Sequence, residues 1–370
     1  MKPAARIGDG VASIDTPALV VDLDALERNI ATMAAYARQH GMSLRPHAKT
    51  HKSGHVAALQ RQAGAVGVCV QKLSEAWALA EAGVDDLFIS NEVIAPRKLA
   101  ALAALAQRVR LSVAVDSTVG VDALADALSA SSSSVDVFVE VDVGHGRCGV
   151  PPEQAVALAQ RVATRRGLRF AGLQAYHGNA QHVRDVQARG DVIRGAAAVA
   201  RQAREAIEAA GLECALVTGA GTGSFPFEAA SGVYGELQAG SYVFMDRDYA
   251  DNRAIPGAPV FEHALFVKSQ VISRSGTRAV VDAGHKSHAI DCGLPRVWGL
   301  DLAFANGGDE HGILHARGDA LPDLGADVWL VPGHCDPTVN LHDHYVVVRG
   351  GLQAGEVVDL WPVHARGCVR

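Results

Sequence analysis

The sequence predicts an α/β protein: a TIM-type (β/α)8 barrel over residues 22–250, with a mostly β second domain built from residues 1–21 and 251–370. Three observations predict it. Eight short apolar segments alternate with Ala-rich segments of helical period, over about 200 residues, the size of such a barrel. Polar and glycine-rich residues gather after the predicted strands, while the opposite connections (Ala82-Gly83, Arg166-Gly167, Ala210-Gly211) are plain. Beyond about Asp251 the helical period stops, and β-branched or aromatic runs separated by Gly, Pro and Asp take over. A doubly wound open sheet would need fewer strands and a Gly-rich turn after the first, and that turn is absent.

Residues 18–21 read as a short strand set off by Pro17, and Asp22 as the cap of a helix starting at Leu23. The barrel strands are then predicted at 44–45, 66–70, 87–90, 111–115, 135–141, 168–175, 215–218 and 233–238, with helices such as 25–40, 54–62, 73–82 and 153–165. The run 131–134, four serines, reads as a flexible connection. Residues 251–259 form a linker, and strands of the second domain are predicted at 264–272, 279–282, 328–331 and 345–348.

Composition narrows the function. The chain has 370 residues, 49% hydrophobic and 20% charged, as in an ordinary globular protein. A net charge of −6, few aromatics and no basic patch exclude nucleic acid as a partner. No apolar run approaches the ~20 residues of a membrane span, and residues 1–14 lack a signal-peptide core. Six scattered cysteines without a CxxC pair suit reduced thiols in the cytoplasm.

The chemistry-bearing stretch is Arg45-Pro46-His47-Ala48-Lys49-Thr50-His51-Lys52, at the tip of the first barrel strand. Lys49 among other cations is expected to have a depressed pKa, making it a usable amine for an aldehyde cofactor; a solvated basic loop is the other reading. After strand seven, Thr218-Gly219-Ala220-Gly221-Thr222-Gly223 exposes amides that can cradle a phosphate, and Gly240-Ser241 after strand eight offers a second set. Arg147 either recognises a carboxylate or pairs with Asp142 at its loop base. Tyr176 either contacts a cofactor or packs at the barrel rim. His182 is a general base or a structural hydrogen-bonder. His334 and Asp336 lie two apart at the end of a predicted strand, on one side of it with Cys335 facing away, a half-site for a divalent ion or a polar turn. His342, Asp343 and His344 could support that site.

Together, the lysine stretch, Asp142-x-Gly-x-x-Arg147-x-Gly149, the glycine turn and Pro332-Gly-His-Cys-Asp-Pro337 resemble the D-threonine aldolase family, whose relatives include D-serine dehydratase and, further off, alanine racemase. The resemblance runs from Asp15 to about Gly350. It implies pyridoxal 5'-phosphate held covalently by Lys49, with Arg147, Tyr176, Gly221, Thr222, Gly240 and Ser241 around it. It implies a divalent cation on His334 and Asp336, Mn2+ ahead of Mg2+, Co2+ or Zn2+, and His182, or water on that cation, as catalytic base. The dehydratase branch carries a cysteine where this chain has Asp336, which points to the aldolase branch. The racemase arginine at the pyridine nitrogen is replaced by Gln238, so racemase-type electronics are not expected. The expected reaction is retro-aldol cleavage of a D-3-hydroxy amino acid to glycine and an aldehyde. The alternatives are a D-serine or 3-hydroxy-D-aspartate dehydratase, releasing ammonia and a keto acid, and a 3-hydroxy-D-aspartate aldolase, releasing glyoxylate. A non-catalytic pyridoxal phosphate carrier would lack the second domain. A homodimer is implied, each second domain completing its neighbour's barrel mouth.

Overall fold

The computed structural model describes residues 3–129 and 133–370, so part of the serine run, Ser131 and Ser132, lies outside the described residues. The chain opens with β1 (Ala18–Asp22) and α1 (Leu23–Gln39). The Asp22 carboxylate accepts the Ala25 amide at 3.1 Å and caps α1. Eight strands follow: β2 (Ser43–Leu44), β3 (Val68–Val70), β4 (Asp86–Ile89), β5 (Arg110–Val115), β6 (Val135–Glu140), β7 (Leu168–Gln174), β8 (Leu216–Gly219) and β9 (Glu236–Leu237). Between them lie α2 (Gly54–Gln62), α3 (Leu73–Glu81), α4 (Pro96–Leu105), α5 (Thr118–Leu128), α6 (Ala155–Thr164), α7 (Val186–Ala209) and α8 (Phe225–Ala230), and α9 (Arg247–Ala250) follows the last strand. These strands pair in parallel, in the order β2-β9-β8-β7-β6-β5-β4-β3. A parallel bridge between His47 and Cys69 joins the two ends and closes the barrel.

Two cores hold the barrel. Apolar strand residues facing outward, such as Leu87, Val113 and Val137, pack on the helices. Cys69, Phe88, Ala114 and Phe138 fill part of the interior. The rest of the interior is polar: Arg45 lies 2.5 Å from Asp86 and 3.1 Å from Glu236, and Gln238 donates to Gln174 and Thr218. β7 must contain a glycine, because a Cβ on Gly172 would sit 1.8 Å from the Leu216 carbonyl of β8.

The second sheet is built from β10 (Leu265–Arg274), β11 (Ala279–Val281), β12 (Arg296–Val297), β13 (Leu302–Asn306), β14 (Gly312–Ala316), β15 (Asp327–Val331), β16 (His344–Arg349) and β17 (Glu356–Pro362), together with β1. β1 lies antiparallel to β10 and parallel to β16. Its inner face shares one core with α1 and the β9 end of the barrel, through Leu26, Met33, Leu237, Phe244, Val267 and Tyr345. Lys268 on β10 is 1% exposed; its amine donates to the carbonyls of Val11, Ala12 and Ile14 and pairs with Asp327 at 3.0 Å. It ties the N-terminal segment to the sheet. β12, β13, β14 and β17 were not expected from the sequence. β12 is two residues long, and β13 is mostly half-buried, so neither shows the clean apolar pattern that marks a strand.

Candidate active site

β2 ends at Leu44, and the chain turns sharply over 46–52, with the amides of His51 and Lys52 both bonded to the Ala48 carbonyl. This turn aims Lys49 into a cavity at the C-terminal face of the barrel. The amine is 3.7 Å from Asp336 Oδ2. The Lys49 side chain is 41% accessible because it opens onto that cavity. The expected depression of its pKa is not found. Burial disfavours the charge most, but Asp336, Tyr176 and Glu75 together offset it and hold the amine above its ordinary value. The cationic neighbours foreseen in the sequence do not dominate, because Lys52 turns away to Glu75 at 2.6 Å. His47 is buried, its pKa pushed well down by desolvation and by Lys49. It is therefore neutral, accepting the Lys49 amide at Nδ1 (3.3 Å) and facing Gln71 and Ser90 with Nε2.

Gly221, Thr222, Gly240 and Ser241 line the same cavity. Among the described residues, no backbone or side-chain acceptor bonds their four amides. The loops are tied to each other rather than to an anion: Thr222 Oγ1 accepts the Tyr242 amide at 3.0 Å, and Thr50 Oγ1 lies 3.4 Å from Ser241 Oγ. A Cβ on Gly240 would meet the His47 carbonyl at 2.7 Å, and one on Gly221 would meet Gln181 Oε1 at 2.4 Å. Behind the loop, Gln181 donates to Ser224 (2.7 Å), which donates to Glu228 (2.7 Å). Burial raises the Glu228 carboxyl to about 7.

Tyr176 also lines the cavity. The Arg147 guanidinium sits 5.7 Å from its ring centroid and 4.0 Å from Glu140 Oε1. The pair with Asp142 does not form, because Asp142 accepts the amides of Gly144 and Gly146, each at 3.0 Å. Glu140 is raised to about 9 by burial and by Glu92. His182 is half exposed and outside the cavity wall, beside Tyr249, which does line it. Its Nδ1 is 2.6 Å from Oδ2 of Asp248, whose Oδ1 accepts from Arg184.

His334 does not end a strand, as the sequence suggested; it caps α10 (Cys335–Val339), a short helix after β15. The first turn still puts its Nε2 4.0 Å from Asp336 Oδ1 and turns Cys335 into the core. Asp336 Oδ1 is buried with no hydrogen-bond partner among the described residues. An imidazole nitrogen and an unsatisfied carboxylate oxygen facing one gap fit a divalent cation. His342 bonds the Ser287 carbonyl and Asp343 pairs with Arg366; neither supports His334. The carboxylate that does is Asp291, 2.7 Å from His334 Nδ1.

The cavity thus gathers Lys49, Tyr176, Gly221, Thr222, Gly240 and Ser241; Arg147, His182, His334 and Asp336 stand around it. Sequence reasoning missed Gln71, Ser90, Gln174 and Tyr249 in the wall and Asp248 and Asp291 behind it. Only Asp248-Tyr249, just past the Gly240-Ser241 turn, carried a local signal. The Asp336 that reaches Lys49 belongs to the same chain, because α1 and β1 fold the second sheet back over its own barrel.

Residues 21–248 match the family model for the alanine racemase N-terminal domain, and residues 264–348 match a serine dehydratase domain model. The chain is 46% identical to a D-threonine aldolase of Arthrobacter sp, over 100% of this chain and 97% of the relative. It is 44% identical to a 3-hydroxy-D-aspartate aldolase of Paracoccus denitrificans, over 96% and 93%. The crystal structure of D-threonine aldolase from Filomicrobium marinum superposes with a TM-score of 0.97 at 50% identity, covering 100% of both chains. Sequence, barrel and second sheet agree, and the chain belongs to the D-threonine aldolase family of alanine racemase-like barrel proteins.

Proposed function

We propose that this chain is a pyridoxal phosphate- and divalent cation-dependent aldolase that cleaves D-3-hydroxy amino acids to glycine and an aldehyde. One observation carries it: the amine of Lys49 opens onto a cavity walled by four unbonded amides, 3.7 Å from the carboxylate of Asp336. The amides of Gly221, Thr222, Gly240 and Ser241 would hold the cofactor phosphate, and the Lys49 amine would hold the cofactor covalently. Pyridoxal phosphate, when bound, supplies an electron sink for the charge left at Cα as the Cα–Cβ bond breaks. A cation held by His334 and Asp336 would lower the pKa of the 3-hydroxyl. His182 presents Nδ1 to Asp248, which leaves Nε2 to accept the hydroxyl proton. Arg147, across the Tyr176 ring, offers a guanidinium to the cofactor or the substrate carboxylate. The imidazole and carboxylate pair favours Mn2+, and six unpaired thiols suit the cytoplasm.

The test is product analysis with D-threonine and D-3-phenylserine. Aldehyde and glycine should appear, activity should fall on chelation and return with Mn2+, and Lys49→Ala should lose both visible cofactor absorbance and turnover. Ammonia and a keto acid would instead identify a dehydratase. A 3-hydroxy-D-aspartate aldolase is the second reading, supported by the 44% identical relative. Its substrate carries a further carboxylate. Among the described cavity-lining residues the one charged cation is Lys49, which favours an uncharged substituent instead.

A further inference from the structure

His334 stands between two carboxylates, one at each ring nitrogen. Nδ1 is 2.7 Å from Asp291 Oδ2, a hydrogen-bond distance, with Cys292 Sγ a weaker neighbour at 3.5 Å. Nε2 is 4.0 Å from the unpartnered Asp336 Oδ1. The second gap has the width that an ion needs, since two ligands each ~2.1 Å from one ion lie ~3–4 Å apart. A neutral imidazole carries one N–H. The Asp291 contact places that proton on Nδ1 and leaves the Nε2 lone pair facing Asp336.

The backbone is built to keep Asp291 there. Thr338 Oγ1 accepts the Ala289 amide at 3.0 Å and donates to the His334 carbonyl at 2.7 Å, so one hydroxyl ties the Asp291 segment to the first turn of α10. The two segments pass so closely that a Cβ on Gly333 would lie 2.1 Å from the Gly293 carbonyl. We infer that Asp291 is a positioning residue for the cation site: it fixes the tautomer and the ring orientation of His334 and is not itself a ligand. The inference rests on the cation site proposed above.

The experiment is Mn2+ titration of pyridoxal phosphate-loaded, metal-stripped protein, comparing wild type with Asp291→Ala, Asp291→Asn and His334→Ala. Asp291→Ala should weaken Mn2+ binding by roughly 10- to 100-fold with the cofactor absorbance unchanged. Asp291→Asn keeps an acceptor oxygen and should stay within a few-fold of wild type. Unchanged binding in Asp291→Ala while His334→Ala loses it would overturn the inference alone. Equal weakening in Asp291→Ala and Asp291→Asn would overturn it too, by making Asp291 a ligand. Unchanged binding in His334→Ala would remove the cation site itself, and the inference with it.

Discussion

Glu228 is 1% exposed, beneath the glycine turn, with Oε1 bonded to Ser224 and Oε2 unpartnered. Burial lifts its carboxyl from 4.5 to about 7. The folded protein therefore binds this proton more tightly than the unfolded chain does. The stability it contributes is complete below about 4.5, falls as pH rises to about 7, and is flat above. Glu228→Gln removes the titration and keeps the Ser224 bond. Its stability relative to wild type should improve between pH 5 and pH 8 by about 1–3 kcal/mol in denaturant melts, since a tenfold difference in proton affinity between the folded and unfolded chain is worth about 1.4 kcal/mol. Gly240 offers a second test at this scale. An alanine there would press on the His47 carbonyl at 2.7 Å, and a backbone oxygen cannot step aside. Gly240→Ala should weaken pyridoxal phosphate binding, read by absorbance titration, by roughly tenfold, the effect of about 1–2 kcal/mol of overpacking.

Among the elements, β10 depends on the buried amine of Lys268. It satisfies three carbonyls of the N-terminal segment and Asp327 from a fully buried position on β10. Lys268→Ala should destabilise the protein by about 3–5 kcal/mol, measured by chemical denaturation, because the carbonyls and the carboxylate lose their partner together. The sequence showed the eight barrel strands to within a few residues, since each is a short apolar run bounded by turns. It showed Lys49, Tyr176 and the two glycine turns for a related reason: each follows its strand directly. Gln71, Ser90 and Gln174 reach the cavity singly, from different strands, and no contiguous pattern announces them. Asp291 was hidden because its partner lies 43 residues away. Lys268 was hidden because a lone lysine in a β-branched run reads as an exposed position.

At the scale of the molecule, barrel and second sheet share one core around Leu26, Phe244, Val267 and Tyr345. Polar links cross the same boundary: the Tyr345 hydroxyl donates to the His51 carbonyl at 2.6 Å, and Lys52 Nζ donates to the Ala365 carbonyl at 3.3 Å. The two parts should therefore unfold together. Of the four tryptophans, Trp298, Trp329 and Trp361 belong to the second sheet and its β12 turn, while most helices belong to the barrel. Tryptophan fluorescence and far-ultraviolet circular dichroism should give coincident melts. Two separated transitions would show that the shared core does not couple them.

The seat of β1, between β10 and β16, also constrains how the protein is made. β1 is translated well before either neighbour: its β10 edge stays open until Arg274 has been made and its β16 edge until Arg349. At ~5–20 residues per second the two waits are about 13–50 and about 16–65 seconds, during which each nascent edge stays open to wrong partners.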